Sequence, residues 1–587
     1  MLLEPKPHPY GKKLNEHPPN KEMKSKSVYF KIATALLTLI GIGQIALTYP
    51  VLSQTWDEPA HIGRGIQWWG EGKYTYDLGH PPLAPVMASL VPYFTRLQFT
   101  GADNRWDEGN AVLHQNGTYQ RNLTLARLGT LPFFILTVVI VSRWSHYYFG
   151  SFSALLAVFW VVTLPPILAN AGLAATDMAC AGTLMALLFT FCLWLKAPTH
   201  RYGVWLGVTG GLACLAKYSN IVFFLVSILS MGVLTFLSNR HTNYRKEQSE
   251  QKDSHKKSQV KRWMTRFVRT AIALLICGLI IWAGYRFSVI SVLSPEGRPH
   301  TRIDRIVGQQ GLLHDVAYFA FERLPIPAPE FIKGLTQVKN FNEAGHTSYL
   351  LGEAYKGGRW YFFPIEFLIR TPIPFLLLAG FGIFSMFINV WKRRLDPQIL
   401  IPPSCALGIM AIAMTSHLNL GVRHILPIYP LLAIVAGYGA TRLWKIYPVR
   451  GPAIVSVLLV WQILTAISVN PDYLAYYNSL AGKYPEEISI GTTDWGQDFN
   501  RLVQVLKRKR INEMSLCYAG SVDFSKFDLP SWKLLNPYEK TKGWVLSSLL
   551  CNKIGTWEPP YDQFAWLEQH KPVETIGKSI KLYYIIE

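Results

Sequence analysis

Long apolar runs recur along most of this chain, and short polar or basic segments separate them. A run of ~20 apolar residues crosses the hydrocarbon core of a bilayer as an α-helix. The residues before the first run, through Lys26, are basic and lack the arrangement of a cleavable signal peptide, so this run is interpreted as an anchor. The pattern predicts about eleven transmembrane helices, near residues 29–50, 123–144, 152–170, 177–195, 203–216, 219–238, 270–290, 366–391, 399–415, 425–441 and 452–469.

The basic residues indicate which side of the membrane each connection occupies. The largest cluster lies in residues 239–269, and the smaller ones are Lys392–Arg394 and the group Arg442, Lys445 and Arg450. Short loops rich in Lys and Arg stay in the cytoplasm. With a cytoplasmic N-terminus, these eleven spans place all three clusters inside, and their odd number places the C-terminal region outside. The segments predicted outside are then 51–122, 291–365, 416–424 and the chain from Asn470 onward.

These patterns predict a mainly α-helical, polytopic membrane protein with a separate C-terminal domain. Residues 1–28 form a basic cytoplasmic N-terminus, and residues 29–469 form the transmembrane domain with its two long outer loops. From residue 470 to 587, β-rich runs alternate with a helical pattern at Phe499–Arg508, which is typical of an α/β domain. The strands are predicted near Ile488–Thr492, Met514–Tyr518, Trp544–Leu546 and Ile580–Ile586.

The composition agrees with a membrane protein and argues against a nucleic-acid partner. Charged residues make up only 16% of the chain, whereas soluble proteins carry roughly a quarter. The net charge of +21 would fit a nucleic-acid binder, but the Lys and Arg are concentrated in the connections between apolar runs. Cys517 and Cys551, both in the C-terminal region, could pair in an oxidising compartment.

Two adjacent carboxylates follow the first span, in the sequence Thr55-Trp56-Asp57-Glu58-Pro59-Ala60-His61. A structural interpretation is the start of a helix. Thr55 and Glu58 have capping-box spacing, but that register puts Pro59 at the fourth helical position, where its missing N–H costs a hydrogen bond. Asp57 as the N-cap puts Pro59 in the first turn instead. A functional interpretation is a catalytic carboxylate, and the spacing alone leaves both open.

Six further polar residues lie at predicted turns, span ends or within apolar sequence: His80, Arg127, Asp177, Lys217, Arg423 and His424. The first three have simple structural interpretations, as an exposed turn residue and as side chains reaching from a span end to water. Lys217 lies deep in apolar sequence, where an ionisable residue is usually functional. Basic groups at the membrane surface suit a lipid phosphate, and nearby carboxylates suit deprotonation of a hydroxyl.

In chain order, these motifs resemble the protein O-mannosyltransferase-like branch of the C-type, polyprenyl-phosphate-sugar-dependent glycosyltransferases. Asp57-Glu58 looks like the acidic pair of that superfamily. His80-Pro81-Pro82-Leu83 looks like its next loop motif, where related lipid A aminoarabinose transferases carry Lys instead of His. Arg127 and Asp177 fall where the family has an Arg and an Asp at span ends. Later segments that resemble bacterial members are His346–Glu353, Gly358–Pro364, Asn419–Pro427 and Asp494–Asp498.

The resemblance implies a C-type glycosyltransferase fold and inverting transfer of a sugar, with mannose as the first candidate. The donor would be a polyprenyl-phosphate sugar, and the acceptor a hydroxyl of a protein, lipid or glycan on the extracytoplasmic face. Residues 291–365 lack the β-trefoil repeats of eukaryotic O-mannosyltransferases, which implies a bacterial plasma-membrane enzyme.

The resemblance also implies roles for single residues. Asp57 would be the general base, assisted by Glu58 and Asp177. The donor phosphate would be held by His80, Arg127, Lys217, Arg423 and His424. Some members of the superfamily use a divalent metal, for which Asp57, Glu58 and His346 would be the candidate ligands, although their spacing is not that of a metal site.

Two other functions fit the same hydrophobic pattern. A transporter or flippase of a lipid-linked sugar is less natural with large outer loops and an outer soluble domain, and the chain lacks two matching halves with broken spans. A non-catalytic assembly factor would keep the fold and lose the reactive residues, whereas Asp57 and Arg423 are both present.

The predicted topology is tested by cysteine labelling of intact cells. We expect Ser531→Cys to react with a membrane-impermeant maleimide and Ser254→Cys to react only after the cells are permeabilised, because basic loops stay inside. The opposite labelling pattern would invert the predicted orientation.

Overall fold

The computed structural model of this chain describes residues 21–247, 256–290, 308, 311–318 and 325–586, with only the backbone described for 21–26, 241–247 and 256–263. Most side chains of the basic segment 239–269 and much of the outer loop 291–365 therefore lie outside the described residues. In the first half of the chain, the helices are α1 (Lys21–Ala46), α2 (Glu58–Glu71), α3 (Leu83–Ala88), α4 (Leu90–Phe94), α5 (Arg105–His114), α6 (Tyr119–Leu128), α7 (Leu131–Phe149), α8 (Ser151–Thr163), α9 (Pro165–Ala171), α10 (Asp177–Lys196), α11 (His200–Ala216), α12 (Ser219–Glu247) and α13 (Lys256–Gly284).

The second half contains the remaining helices and the strands. The helices are α14 (Leu312–Tyr318), α15 (Pro329–Ala344), α16 (Phe362–Arg370), α17 (Ile373–Trp391), α18 (Ile401–Ala413), α19 (Ile428–Ile446), α20 (Arg450–Val469), α21 (Pro485–Ile488), α22 (Phe499–Lys509) and α23 (Leu549–Ile554). The strands are β1 (Val289–Ile290), β2 (Ile326–Pro327), β3 (Thr347–Leu350), β4 (Glu353–Lys356), β5 (Glu513–Cys517), β6 (Ser531–Leu534), β7 (Gly543–Ser548), β8 (Glu574–Ile576) and β9 (Ile580–Ile585).

The helical region is that of a multi-pass membrane protein, as the sequence predicts. Within the described residues, seven helices are long and apolar enough to cross a membrane, and the bent pair α8–α9 would make an eighth. The predicted count of about eleven is therefore not established by length and composition. The centre of the region is α19, which is buried from Ile428 to Thr441 and packs against α8, α17 and α18.

Two predicted spans are interrupted at prolines. The segment predicted at 152–170 is bent by 62° between α8 and α9. The segment predicted at 366–391 is divided between α16 and α17. In both breaks the residue before a proline, Leu164 or Thr371, is extended, because the proline ring disfavours a helical conformation at the preceding residue. The predicted break at Lys217 is confirmed, since this residue is extended between α11 and α12.

Residues 51–122, predicted from the sequence to be an outer loop, contain four short helices, α2 to α5, and glycines let their backbones touch. A methyl group on Gly65 of α2 would lie 2.0 Å from the Pro85 carbonyl oxygen, and one on Gly109 of α5 would lie 1.9 Å from the Pro59 carbonyl oxygen. Side chains at these positions would push α3 and α5 away from α2. The close approach therefore fixes the start of α2, which carries the acidic pair.

The C-terminal region is an α/β domain, as predicted. Its five strands lie in the order β6-β5-β7-β9-β8, with β5 parallel to both of its neighbours and β9 antiparallel to both of its own. The predicted strand at Ile488–Thr492 is wrong: Ile488 ends α21, Ser489 makes only an isolated bridge to Leu350, and the residues from Gly491 form a turn. Cys517 at the end of β5 forms a disulfide with Cys551 in α23.

Four segments that are distant in sequence meet on one side of the helical region. The Ser53 backbone N–H donates to the Gln497 carbonyl over 3.0 Å, and the Trp56 N–H donates to the Trp495 carbonyl over 2.8 Å. Gln337 of α15 donates to Asp77, and Ser348 of β3 donates to the Asn419 carbonyl over 2.7 Å. The segments 51–122, 325–365, 416–424 and 470–586 thus form one continuous layer.

The close approach of α2 and α5 can be tested with one methyl group. Gly109→Ala should lower the stability of the purified protein by ~1–3 kcal/mol, measured as a fall in melting temperature, because the added carbon meets backbone that cannot move aside. Gly43→Ala is the matched control, since a methyl there meets no atom within 4 Å. Equal melting temperatures for both variants would contradict the packing described.

Candidate active site

The two adjacent carboxylates of the acidic pair point to different arginines. Asp57 immediately precedes α2 and makes no side-chain capping hydrogen bond. Its Oδ2 instead accepts a hydrogen bond of 2.8 Å from Nη1 of Arg423, and 31% of its side-chain surface remains exposed. Arg423 lies in a short 3₁₀ turn before α19 and stacks on the indole of Trp495, 3.9 Å from the ring centre. The side chain is therefore both paired with Arg423 and partly accessible to solvent.

The charges around Asp57 keep it ionised. Burial raises the pKa of a carboxyl group, but Arg423, His61 and Arg64 outweigh it and hold the pKa of Asp57 below its ordinary value. An ionised carboxylate can accept a proton. A group with a lowered pKa loses this ability only as the pH falls through that lowered value.

Glu58, the second carboxylate, is fully buried in an ion pair with Arg127. Both side chains are 0% exposed. Arg127 donates through Nε to Oε1 over 2.8 Å and through Nη2 to Oε2 over 2.9 Å, and it also donates to the Leu52 and Ser53 carbonyls. The backbone N–H groups of Ala174 and Thr55 each donate to Glu58 over 2.8 Å.

This pair settles the capping question. Glu58 accepts a hydrogen bond from the Thr55 N–H, which is one half of a capping box. In the other half, the Thr55 hydroxyl would accept from the backbone N–H of residue 58, but here the hydroxyl donates to the Glu58 carboxylate. The helix begins with Asp57 before its first residue and Pro59 in its first turn. Arg127 is turned toward Glu58 and has no exposed surface, so it is not accessible to a ligand in this conformation.

Asp177 and Lys217 form a third ion pair. Asp177 is the first residue of α10, and Lys217 lies in the break between α11 and α12. Lys217 Nζ donates to Asp177 Oδ1 over 2.6 Å, and its side chain is 15% exposed. The break in the helix therefore carries an ammonium group that is paired with Asp177 and remains partly exposed.

A cluster on α2 lies beside these pairs. Arg64 and Arg105 both form ion pairs with Asp77, and their charge holds the pKa of Asp77 at about 2 in spite of its burial. His61 and His80 meet edge to face, with ring centres 4.9 Å apart. Burial, together with Arg64, lowers the pKa of His61 to about 3, against the opposing charges of Asp57 and Asp177. Both acidic residues are thus close enough to act on one imidazole.

Three buried nitrogen atoms around this cluster have no hydrogen-bond partner in the described part of the chain. Arg64 Nε, Arg105 Nε and His80 Nδ1 are buried without a hydrogen-bond partner among the described residues. Burial, followed by the charges of His61 and Arg64, lowers the pKa of His80 well below its usual value. Unpaired buried donors are costly, and a ligand rich in acceptor atoms would satisfy them.

His424 and His346 flank the Asp57–Arg423 pair. His424 stacks on Phe363 with ring centres 6.4 Å apart, and burial with the charges of Lys217 and Arg423 lowers its pKa well below the usual value. His346 lies against Trp557, and its Nδ1 is 2.7 Å from the Thr347 carbonyl oxygen. Burial likewise lowers the pKa of His346 below its usual value, so both rings are neutral near pH 7 and add no charge beside the pair.

The residues considered as metal ligands do not fit a metal ion. Asp57 is paired with Arg423, both oxygens of Glu58 are occupied, and Nδ1 of His346 faces a carbonyl oxygen. Within the described ranges, no group of three or more His, Cys, Asp or Glu side chains is arranged to hold a metal. No step proposed below therefore involves a metal.

The sequence indicated the carboxylates and missed some of the residues that surround them. Asp57, His61 and Arg64 lie at positions i, i+4 and i+7, which share one face of a helix, so their spacing could have revealed the two basic residues. Asp77 and Arg105 had no such signal, because only the fold of the outer loop brings them to α2. Trp495 lies about 440 residues from Trp56 in the chain, a separation that only the tertiary structure closes.

No family model matches the chain, and no curated protein matches it. Solved structures match it over nearly its whole length. ArnT from Cupriavidus metallidurans bound to undecaprenyl phosphate is 12% identical with a TM-score of 0.43, and the match covers 95% of this chain and 98% of that one. The apo state of the same protein gives a TM-score of 0.46 at the same identity and coverage.

An archaeal structure also matches. The oligosaccharyltransferase AglB from Archaeoglobus fulgidus, in complex with an inhibitory peptide and a dolichol-phosphate, is 12% identical with a TM-score of 0.42, covering 93% of this chain and 73% of that one. Because the identities are low and the TM-scores lie below 0.5, the roles proposed below rest on the side-chain geometry of this chain.

The dependence of Glu58 on Arg127 can be measured as stability. Arg127→Met should destabilise the protein by ~3–5 kcal/mol, because it leaves a carboxylate buried without its partner. Adding Glu58→Gln to that variant should recover part of the loss, since the two effects are not additive for residues in contact. Lys339→Met, which breaks the exposed Lys339–Glu343 pair on α15, is the control and should cost less than ~1 kcal/mol. Similar losses at both sites would contradict the structural role of Arg127.

Proposed function

We propose that this protein is a membrane glycosyltransferase that moves a sugar from a polyprenyl-phosphate donor to an acceptor hydroxyl. The observation that carries the proposal is the accessible carboxylate of Asp57, held ionised by Arg423 beside Lys217 and the unpaired donors of Arg64 and Arg105. A base beside several cations suits a reaction in which one substrate loses a proton and the other loses a phosphate as its leaving group. The resemblance of the sequence motifs to C-type glycosyltransferases supports the same reaction.

Asp57 acts as the general base in this mechanism. It takes the proton from the acceptor hydroxyl as the oxygen attacks the anomeric carbon, and the bond from that carbon to the phosphate oxygen breaks. One displacement inverts the configuration. The leaving polyprenyl phosphate is a stable anion, so no paired general acid is needed, unlike in glycoside hydrolysis.

The basic groups hold the donor phosphate and stabilise charge as the bond breaks. Lys217 is the first candidate, because its ammonium group lies in a break between two apolar helices. Its charge acts on both His80 and His424, which are further candidates together with Arg423. Asp177 orients Lys217 through their 2.6 Å hydrogen bond. Arg127, expected from the sequence to bind phosphate, is now proposed to act with Glu58 as a positioning residue.

We propose that this layer faces the exterior of the plasma membrane of a bacterium. The Cys517–Cys551 disulfide supports that side for the C-terminal domain, because disulfides persist in oxidising compartments. The basic clusters at Lys392–Arg394 and around Arg442 support the cytoplasm for the opposite side. The sugar is proposed to be mannose, on the sequence resemblance alone.

The direct test is a transfer assay on the purified full chain in lipid nanodiscs. A panel of labelled undecaprenyl-phosphate sugars, beginning with mannose, is incubated with and without cell-envelope acceptors. A transferase releases undecaprenyl phosphate and moves the label. A transporter or flippase would instead move intact donor across proteoliposomes without releasing undecaprenyl phosphate, and that outcome would replace the proposed function.

Asp57→Asn should lower the transfer rate by about 10²–10⁴-fold, the range of general-base assistance, without changing the melting temperature. The substitution keeps the shape of the side chain and removes its basicity. Glu58→Gln, by contrast, should act mainly on stability. A well-folded Asp57→Asn protein that transfers sugar at near the wild-type rate would exclude Asp57 as the base.

Arg423→Gln should move the acidic limb of the kcat/KM pH profile to higher pH. The reason is that burial, which raises the pKa of Asp57, is then no longer opposed by the arginine. The sign follows from the active form being ionised: a higher pKa means that activity is lost at a higher pH as the solution is acidified. Arg423→Lys, which keeps the charge, should restore much of the original profile. Identical profiles for wild type and Arg423→Gln would show that the arginine does not control the base.

A further inference from the structure

A groove separate from the basic cluster lies between the first outer loop and the C-terminal domain. Its volume is about 580 Å³, within the ~300–1,000 Å³ of small-molecule sites. One wall comes from the loop, with Trp56 and the first turns of α5, and the other comes from residues 521–525 and β6 of the C-terminal domain. Trp56 immediately precedes Asp57, so the groove begins one residue from the proposed base.

The two walls are fixed to each other by a buried hydrogen-bond network. The side-chain amide of Gln54 donates to Asn110 Oδ1 over 2.9 Å and to the Ser521 carbonyl over 3.1 Å. Asn110 donates to the same carbonyl over 2.8 Å. The loop and the domain therefore keep their separation, and the groove is a built feature of the fold.

The surface of the groove combines large aromatic faces with hydrogen-bonding groups. Three indoles line it, those of Trp56, Trp106 and Trp532, and Trp532 on the edge strand β6 is 43% exposed. The Nε1 of Trp106 is buried without a hydrogen-bond partner among the described residues. The back of the same indole is covered by the Arg105 guanidinium, 4.0 Å from the ring centre. This donor is therefore held in place and lacks an acceptor.

The charges in the groove select against anions. Asp107 and Asp523 line it, and among the residues that the structure describes no Lys or Arg lines it. Asp523 is held by hydrogen bonds from the Ser525 N–H and hydroxyl. The groove therefore differs from the basic cluster, which suits a phosphate, and its occupant should be neutral or cationic.

We infer that this groove binds the acceptor, and that the acceptor is a neutral glycan. The inference rests on the proposed transferase function and extends it to the second substrate. The C–H faces of a pyranose ring pack on indoles, while its hydroxyls bind carboxylates, amides and an unpaired N–H. Because Trp56 at one end of the groove directly precedes Asp57, the acceptor hydroxyl would bind at that end and give its proton to Asp57 as the new glycosidic bond forms.

The test uses Trp532, which is exposed and not part of the proposed catalytic machinery. The full-length wild type or a variant is expressed in cells that lack the native gene for this protein. Membranes from these cells are incubated with the labelled donor that the wild type uses in the transfer assay above. Trp532→Ala should lower transfer at limiting acceptor by about tenfold or more, the size expected for the loss of an aromatic anchor. Slow release of polyprenyl phosphate to water, measured on the purified protein in nanodiscs without acceptor, should be unchanged. Trp532→Phe keeps a ring and should stay within about threefold of the wild type.

Trp360→Ala, which removes a more exposed indole outside the groove, is the control and should transfer normally. The labelled product distinguishes the acceptor classes. A glycan product keeps its chromatographic position after exhaustive proteinase K digestion and loses it on partial acid hydrolysis. Label in a product that the proteinase degrades, or in a lipid without other sugars, would overturn the glycan assignment. Unchanged transfer by Trp532→Ala would overturn the groove assignment. If the wild type turns over no donor, the transferase function itself fails.

Discussion

The site depends on one buried ion pair, between Glu58 and Arg127. Taking two charges out of water is costly, and the cost is offset only when every polar atom finds a partner. Here the carboxylate receives the guanidinium and two backbone N–H groups, while the guanidinium also donates to two backbone carbonyls. The pair thereby connects the end of the first span, the start of α2, the second predicted span and the loop before α10. Moving any one of these segments would leave a buried charge unsatisfied.

The burial of Glu58 against Arg127 explains how two neighbouring carboxylates can have different roles. Asp57 and Glu58 are consecutive at the start of a helix, so their side chains leave the backbone in different directions. Glu58 turns inward and is used for structure, which frees Asp57 from capping the helix and leaves it 31% exposed. A single carboxylate could not be both fully buried for rigidity and open to a substrate. The pairing of the two residues therefore places a rigid support directly beside the carboxylate that is proposed as the base.

The sequence could predict the parts of this architecture that depend on local pattern. Apolar runs gave the helical membrane region, and alternating runs gave three of the five strands of the C-terminal sheet. The strand predicted at Ile488–Thr492 failed because its apolar residues pack against β3 and the short helix α23 instead of joining the sheet. Pro165 and Pro372 are visible in the sequence, but the mean hydropathy of a whole span does not reveal that the helix breaks at a proline.

The sequence does not show which carboxylate forms an ion pair with which cation. Any of the outer carboxylates could have met any of the outer cations, and the expectation that Arg127 faces a phosphate came from its position at a span end. Only the packing of α2 against α5, with glycines at the contacts, determines that Arg127 meets Glu58 and that Arg64 and Arg105 share Asp77. Such choices depend on long-range contacts, which periodicity and composition do not encode.

The same pairing has a consequence for the proposed base. A carboxylate bound to a guanidinium is kept ionised, but it is also a weaker base, because the positive charge lowers its affinity for a proton. A donor phosphate that binds Arg423 would compete with Asp57 for that charge, and its own negative charge would raise the proton affinity of the carboxylate. Asp57 would then become a stronger base when the donor is present. In each of the ion pairs Asp57–Arg423 and Asp177–Lys217, the carboxylate neutralises the cation, so neither cation proposed to bind phosphate lacks a counter-charge.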